Sequence, residues 1–325
     1  MNVKPLTIRS MARLGMHSSL FGVGLIEIAQ ERDNLYAMTA DMGGYSGLDR
    51  FKSMYPEKFI NVGIQEQNMI GIACGLALEG KTVFVTTYSA FSLVRAMEQV
   101  RHNMSVLNTD IKLVGHSSGY TMETLGRSHW ATEDLAFTRA LPNFTVISAA
   151  DSLEAVKAGM AAAELPGPVY IRLCGAGNCT PVYQEDYDFE IGKGITLREG
   201  SDTVIVATGR MVNEALKAAE ILSAAGFSAQ VVNIHTIKPI DETLILSLAE
   251  RYSDIFTVEE HNIIGGLGSA VAELLAENPG RAVLHRLGMR DRHYELGKTE
   301  YMWRQAGVCG DQIAETVQAC LQKRV

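Results

Sequence analysis

Short runs rich in β-branched residues alternate along the chain with longer stretches in which apolar residues return every three or four positions. That alternation predicts parallel sheets covered by helices on both faces, because a parallel strand pair needs a crossover long enough to hold a helix. In the first half, strands are expected at Asn34 to Ala40, Thr82 to Thr87, Ile111 to Gly115, Phe144 to Ala149 and Val169 to Leu173. Asp151 can cap a helix, Glu154 stands three residues later, and Val156, Met160 and Ala163 share one face, so a helix is predicted over Ser152 to Glu164. From Cys174 to Gly200 the pattern lapses into Gly, Pro, Tyr and acidic residues without a period, as in a segment joining two cores. Strands follow at Thr203 to Thr208, Ser228 to Ile234, Ile255 to Val258 and Ala282 to Leu287, with helices at Val212 to Ala225, Glu242 to Tyr252 and Ser269 to Glu277. The expected fold class is α/β, with two consecutive domains, each a mostly parallel sheet with helices on both faces. The expected division is residues 1–175, a linker at 176–200, and residues 201–325.

A net charge of −8 argues against a nucleic-acid partner, which would need clustered Lys and Arg. No apolar run reaches membrane-spanning length, so no membrane role and a cytoplasmic location are expected. The five cysteines are odd in number and lack paired CxxC spacing, so neither a disulfide framework nor a zinc site is favoured.

Two glycine patterns imitate nucleotide sites. Gly75 to Thr82 matches the P-loop letter for letter, but a P-loop runs strand, loop, helix, and here a helical face of Met69, Ala73, Leu76 and Ala77 leads in and a strand leads out. Gly265-Gly266-Leu267-Gly268 stands at a strand-to-helix junction without the third glycine of a dinucleotide fingerprint. A tight turn with close backbone packing is the expected role.

Chemistry concentrates around Asn61-Val-Gly-Ile-Gln-Glu66-Gln-Asn68, between a short strand and an amphipathic helix. Glu66 is placed near a helix N-terminus at a strand end, the edge where open α/β sheets bind ligands. Gly63 to Asn68, followed by a Gly/Ala-rich helix and then Thr86-Thr-Tyr88-Ser-Ala-Phe91 after the next strand, resembles the transketolase family. The resemblance covers nearly the whole chain, including Thr208-Gly209, Ile237 to Asp241 and Val258 to His261 in the second half. It implies the pyrimidine-binding and C-terminal domains of a split, thiamine-diphosphate-dependent transketolase, which transfers a two-carbon ketol unit between sugars. The resemblance makes Glu66 the glutamate that shares a proton with the aminopyrimidine. Its carboxyl must then hold a proton near neutral pH, with burial and the ring partner outweighing the helix dipole. Tyr88 and Phe91 match cofactor-pocket aromatics, with Val94 where a third aromatic often stands. Asp41 matches an acidic residue near the thiazolium, His116 and His129 match active-site histidines that contact the sugar, and Arg172 matches a phosphate-binding arginine.

Nothing in the sequence resembles the family's Gly-Asp-Gly motif for magnesium and the diphosphate. The resemblance therefore implies that Mg²⁺ is held mainly by a partner, an N-terminal transketolase subunit carrying the diphosphate-binding domain, in an α2β2 assembly. An aspartate expected in the substrate loop is replaced near Leu125, and an expected arginine aligns with Ser18. The resemblance implies sugar phosphates as substrates, and these departures shift the expectation toward modified sugars, branched, deoxygenated or carrying another anionic tail paired with Arg172. A deoxyxylulose phosphate synthase and a 2-oxo acid dehydrogenase β subunit share the domain order, and a non-catalytic scaffold or regulatory subunit could share the fold. Tyr88, Phe91 and the two spaced histidines favour the ketol transferase or the synthase, and the retained Glu66, His116, His129 and Arg172 argue against loss of catalysis.

Overall fold

The computed structural model describes residues 8–11, 13–174, 179–280 and 282–323. Six strands in the first half, β1 (Leu35–Thr39), β2 (Phe59–Asn61), β3 (Thr82–Tyr88), β4 (Ile111–His116), β5 (Thr145–Ser148) and β6 (Val169–Arg172), run parallel. In the second half, β7 (Ile195–Arg198), β8 (Thr203–Ala207), β9 (Ala229–Asn233), β11 (Asp254–Asn262) and β12 (Val283–Met289) form a second sheet, ordered β12-β11-β8-β9-β7. The first sheet is ordered β10-β5-β6-β4-β3-β1-β2 and takes β10 (Thr236–Lys238) from the second half of the chain. β4, β5 and β6 are buried throughout, as expected of strands covered on both faces by helices.

The expected strands and helices are present, with ends moved by a few residues at most. Two short strands depart from the sequence reading. β7 lies inside the expected linker and pairs antiparallel with β9, and β10 pairs antiparallel with β5. Each is four residues or fewer, too short for a period to show, and each gains its place by pairing rather than propensity. Residues 176–178 of the expected linker lie outside the described residues. The cores also merge: one apolar cluster joins Val83, Val85 and Met69 of the first half to Val206, Val232 and Leu267 of the second.

The helix before β6, Ser152–Glu164, is capped by Asp151, whose carboxylate accepts the Glu154 amide at 2.9 Å. The carboxylate of Glu154 accepts from the Ala150 amide and from Asn233 Nδ2 of β9, a buried link between the sheets. The P-loop imitation is a helix end, since Gly80 takes φ +77 after the helix Glu66–Leu78 and Thr82 opens β3. The second glycine run makes room for a carboxylate. Glu259 accepts the Leu267 and Gly268 amides at 2.7 and 2.9 Å at the start of the helix Leu267–Glu277, and a Cβ on Gly266 would lie 1.8 Å from Glu259 Oε2.

Burial gives the chain a definite pH response. It lowers the imidazoles of His17 to about 3, His235 to about 4 and His261 to about 4, and holds His116 well below its usual range. Burial also raises the carboxyls of Glu154 and Glu259 to about 7. Between pH 6 and 5 the unfolded chain holds protons on the four imidazoles that the folded chain refuses, and the folded chain holds protons on the two carboxyls that the unfolded chain has lost. The net excess of two protons on the unfolded side lowers stability by about 3 kcal/mol per pH unit of acidification in that window. Urea denaturation at pH 7, 6 and 5 checks this expectation; equal midpoints at all three would contradict it.

Candidate active site

The carboxyl ends of β2, β1, β3 and β4 lie side by side. The chain passes from β1 to β2 on one side and then crosses to β3 on the other, so the loops leaving β1 and β3 diverge and open a crevice. Tyr88 ends β3 directly opposite His116 at the end of β4. Their rings lie 4.8 Å apart, and Phe91 and His129 extend the group, with 5.7 Å between Tyr88 and Phe91 and 5.0 Å between Phe91 and His129. The structure thus brings together four of the residues singled out in the sequence.

Two further rings complete the cluster. His17 lies 4.8 Å from His116, and Tyr45, on the glycine-rich turn after β1, lies 5.1 Å from it. Tyr45 Oη and His116 Nδ1 both meet Ser117 Oγ, at 3.1 and 3.2 Å. His116 Nε2 and both ring nitrogens of His17 are buried without a hydrogen-bond partner among the described residues. Burial keeps both imidazoles neutral, so each can donate through one nitrogen and accept through the other. Both rings lie inside the protein, 0% exposed for His116 and 1% for His17, so these are buried polar atoms still in need of a partner.

Glu66 is the first residue of the helix Glu66–Leu78 and is 3% exposed. Arg95, at the end of the π-helical turn Phe91–Arg95, brings Nη1 to 3.0 Å from both carboxylate oxygens. The same guanidinium stacks on Phe91, 4.2 Å above the ring centroid. A planar group that donates N–H bonds and lies on an aromatic face therefore fits between Glu66 and Phe91, and in the free chain the arginine fills that slot. Val94, in the same turn, is exposed.

Asp41 takes φ +60 at the end of β1 and is held by Asn61, which donates to Asp41 Oδ1 and accepts the Asp41 and Gly63 amides, each at 3.0 Å. Its visible work is to tie the end of β1 to the turn leading to Glu66. Ser18 lies against Gly47 so closely that a Cβ on Gly47 would come 2.7 Å from Ser18 Cα. Leu125 is exposed on the loop before His129.

Arg172, expected to bind the substrate's phosphate, is held in a buried ion pair. The residue is 1% exposed, and it donates to Asp134 Oδ2 at 2.7 Å, to Cys174 Sγ at 3.1 Å and to the Ala131 and Glu260 carbonyls at 3.1 and 2.9 Å. The sequence offers no sign of this pairing, since Asp134 stands 38 positions away.

The second half of the chain holds the loop that carries the histidines. Glu260 accepts the Tyr120 amide at 3.0 Å, Arg210 Nη2 at 2.9 Å and Trp303 Nε1 at 2.8 Å. Gly119 has φ +64, and a Cβ there would lie 2.3 Å from the Glu260 carboxyl carbon, so the approach requires glycine. The sequence reading missed His17, Tyr45, Arg95 and Glu260. His17 sits in an apolar run that reads as core, while Tyr45 carried a usable signal in the glycines following strand-terminal Asp41.

Comparison with known proteins gives two family matches: the transketolase pyrimidine binding domain over residues 17–175 and the transketolase C-terminal domain over residues 192–313. A Methanocaldococcus jannaschii protein provisionally assigned as a transketolase C-terminal section is 40% identical, covering 93% of this chain and 95% of that one. A 6-deoxy-6-sulfo-D-fructose transketolase subunit from Clostridium sp. is 38% identical, covering 92% of each. Among solved structures, a split gene transketolase described as an inactive β4 tetramer superposes with a TM-score of 0.85 at 35% identity, covering 95% of this chain and 98% of that one.

Proposed function

Since the chain belongs to the transketolase family, we propose that it is the pyrimidine-side subunit of a split, thiamine-diphosphate-dependent transketolase that moves a two-carbon ketol unit between sugars. The observation that carries this reading is the slot between Glu66 and Phe91, near which His116 Nε2 and both ring nitrogens of His17 have no hydrogen-bond partner among the described residues. Thiamine diphosphate, when bound, supplies the nucleophilic carbon that accepts the ketol unit. Glu66 holds and returns a proton at the aminopyrimidine ring, Phe91 lends a face for stacking, and Tyr88 closes the slot beside His116. His17, His116 and His129 hydrogen-bond the hydroxyls of the sugar. The working division assigns 1–175 to cofactor and sugar, 176–200 to the connection, and 201–325 to bracing the histidine loop.

Magnesium and the diphosphate belong to an N-terminal partner subunit, the two chains assembling as α2β2 in the cytoplasm. Exposed apolar side chains on and before the helix Glu66–Leu78, namely Ile64, Ile72 and Leu78, support such a partner. Mixing the purified chain with the N-terminal chain tests the assignment. The chain alone should bind thiamine diphosphate weakly and turn nothing over, whereas the pair should do both. Micromolar, magnesium-dependent binding by this chain alone would contradict the split.

The substrate follows from the departures. With Leu125 in the loop, Ser18 in the arginine position and Arg172 buried, the site has lost the groups expected to recognise an ordinary sugar phosphate. A sugar with a modified skeleton or a different anionic tail is the proposed substrate. A tenfold preference for xylulose 5-phosphate with ribose 5-phosphate over such sugars would contradict this.

Arg95 must leave the slot when the cofactor enters. Arg95 is half-exposed and competes with the cofactor for the buried Glu66, so Arg95→Ala should tighten cofactor binding by the assembled enzyme several-fold. Calorimetric titration measures it, and weaker binding would mean that the arginine assists the cofactor instead.

A further inference from the structure

Asp254 opens β11, His285 lies in β12, and Cys320 sits in the last turn of the C-terminal helix Gly310–Gln322. Register places His285 beside Phe256, two residues beyond Asp254, and its imidazole stacks on the Phe256 ring at 4.5 Å and 14°. His285 Nε2 lies 2.8 Å from Asp254 Oδ1, and Cys320 Sγ lies 3.5 Å from each of these atoms.

The shape of this triangle separates two readings. A nucleophilic relay would place the carboxylate on one ring nitrogen and the thiol on the other, so that a proton could pass through the ring. Here carboxylate and thiol face the same nitrogen, which closes that route. Three donors of different kinds converging on one point is instead the arrangement of metal ligands. With bonds of about 2.3 Å to sulfur and about 2.0 Å to nitrogen and oxygen, a tetrahedral centre sets sulfur about 3.5 Å from each of its neighbours. Both sulfur edges already have that length. The nitrogen–oxygen edge needs to open by only about 0.5 Å, to the 3.3 Å those bond lengths imply.

We propose that Asp254, His285 and Cys320 form a site for a zinc-type divalent cation, with the fourth position open to water. Sulfur, imidazole and carboxylate together suit zinc better than magnesium or calcium, which prefer all-oxygen shells. Asp254 is 1% exposed, so its oxygen meets the imidazole and the thiol away from bulk water. The ion fastens the C-terminal helix to the outer pair of strands of the second sheet, on a different sheet from Glu66 and the aromatic slot.

The test uses the full chain without a histidine tag, stripped with a chelator and titrated with Zn²⁺ against a chromophoric competitor, then with Co²⁺. One equivalent of zinc should bind, and cobalt should give the thiolate charge-transfer band and tetrahedral visible bands. Cys320→Ser should abolish the charge-transfer band, and both Cys320→Ser and His285→Ala should weaken zinc binding at least tenfold. Chelator should lower the melting temperature of the unsubstituted chain and leave that of Cys320→Ser unchanged, a readout that holds even if the variant starts less stable. Absence of stoichiometric binding, or binding and a cobalt band that survive Cys320→Ser, would overturn the proposal.

Discussion

Glu66→Gln in the assembled enzyme should leave the fold intact and lower turnover by about 10² to 10⁴, the span usual for a positioned acid or base. The amide conserves the volume of a side chain that is almost fully buried, and before the cofactor enters it keeps an oxygen that accepts the Arg95 bond. What it loses is the capacity to take up and return a proton. Cofactor affinity should change much less than turnover, because stacking on Phe91 and the contacts held by the partner are untouched. Steady-state kinetics, circular dichroism and a cofactor titration separate these effects. Turnover within a factor of two of the original would remove Glu66 from the mechanism, whatever the geometry around it.

A second large effect is expected at Arg172, which the structure holds in a buried ion pair. Arg172→Ala should destabilise the chain by about 3 to 5 kcal/mol, the cost of stranding one member of a buried ion pair. Asp134 would keep its bond from Tyr170 Oη at 2.7 Å but lose its counter-charge, and the Ala131 and Glu260 carbonyls would each lose a donor. Because those carbonyls flank the loop carrying His129 and the clasp at Glu260, activity should fall together with stability. The ratio of kcat/KM between phosphorylated and unphosphorylated acceptors should stay unchanged. Chemical denaturation and that ratio decide the matter: unaltered stability with a tenfold loss of preference for phosphate would return Arg172 to the substrate.

The long elements and the central carboxylate were legible because each rests on a local signal. The helix Ser152–Glu164 is announced by its capping aspartate and its apolar face, and Glu66 by the motif around it that resembles the transketolase family. Tyr88, His116 and His129 were found as separate residues, and the parallel register of β3 with β4 brings the first two together. What escaped notice depends on distant partners. Arg95 is 29 positions from Glu66 and belongs to no motif, while Arg172 is separated by 38 from the Asp134 that claims it. His17 looks like a core residue because it is one, and only the orphaned nitrogens mark it as more. The shared apolar cluster joins residues whose sequence gives no hint that the two halves meet.

The strand β10 has a bearing on how this molecule can be taken apart. It leaves the second sheet's territory to pair with β5 at the margin of the first, so the boundary suggested by sequence does not coincide with a seam in the hydrogen-bond network. A fragment ending near residue 190 would leave β5 as a bare edge, open to pairing with other copies, and would strip the cover from the shared apolar cluster. Exchange of the carboxyl-terminal half between relatives is therefore expected to succeed only when the strap and its landing strip travel together, and heating should melt the two halves in one step.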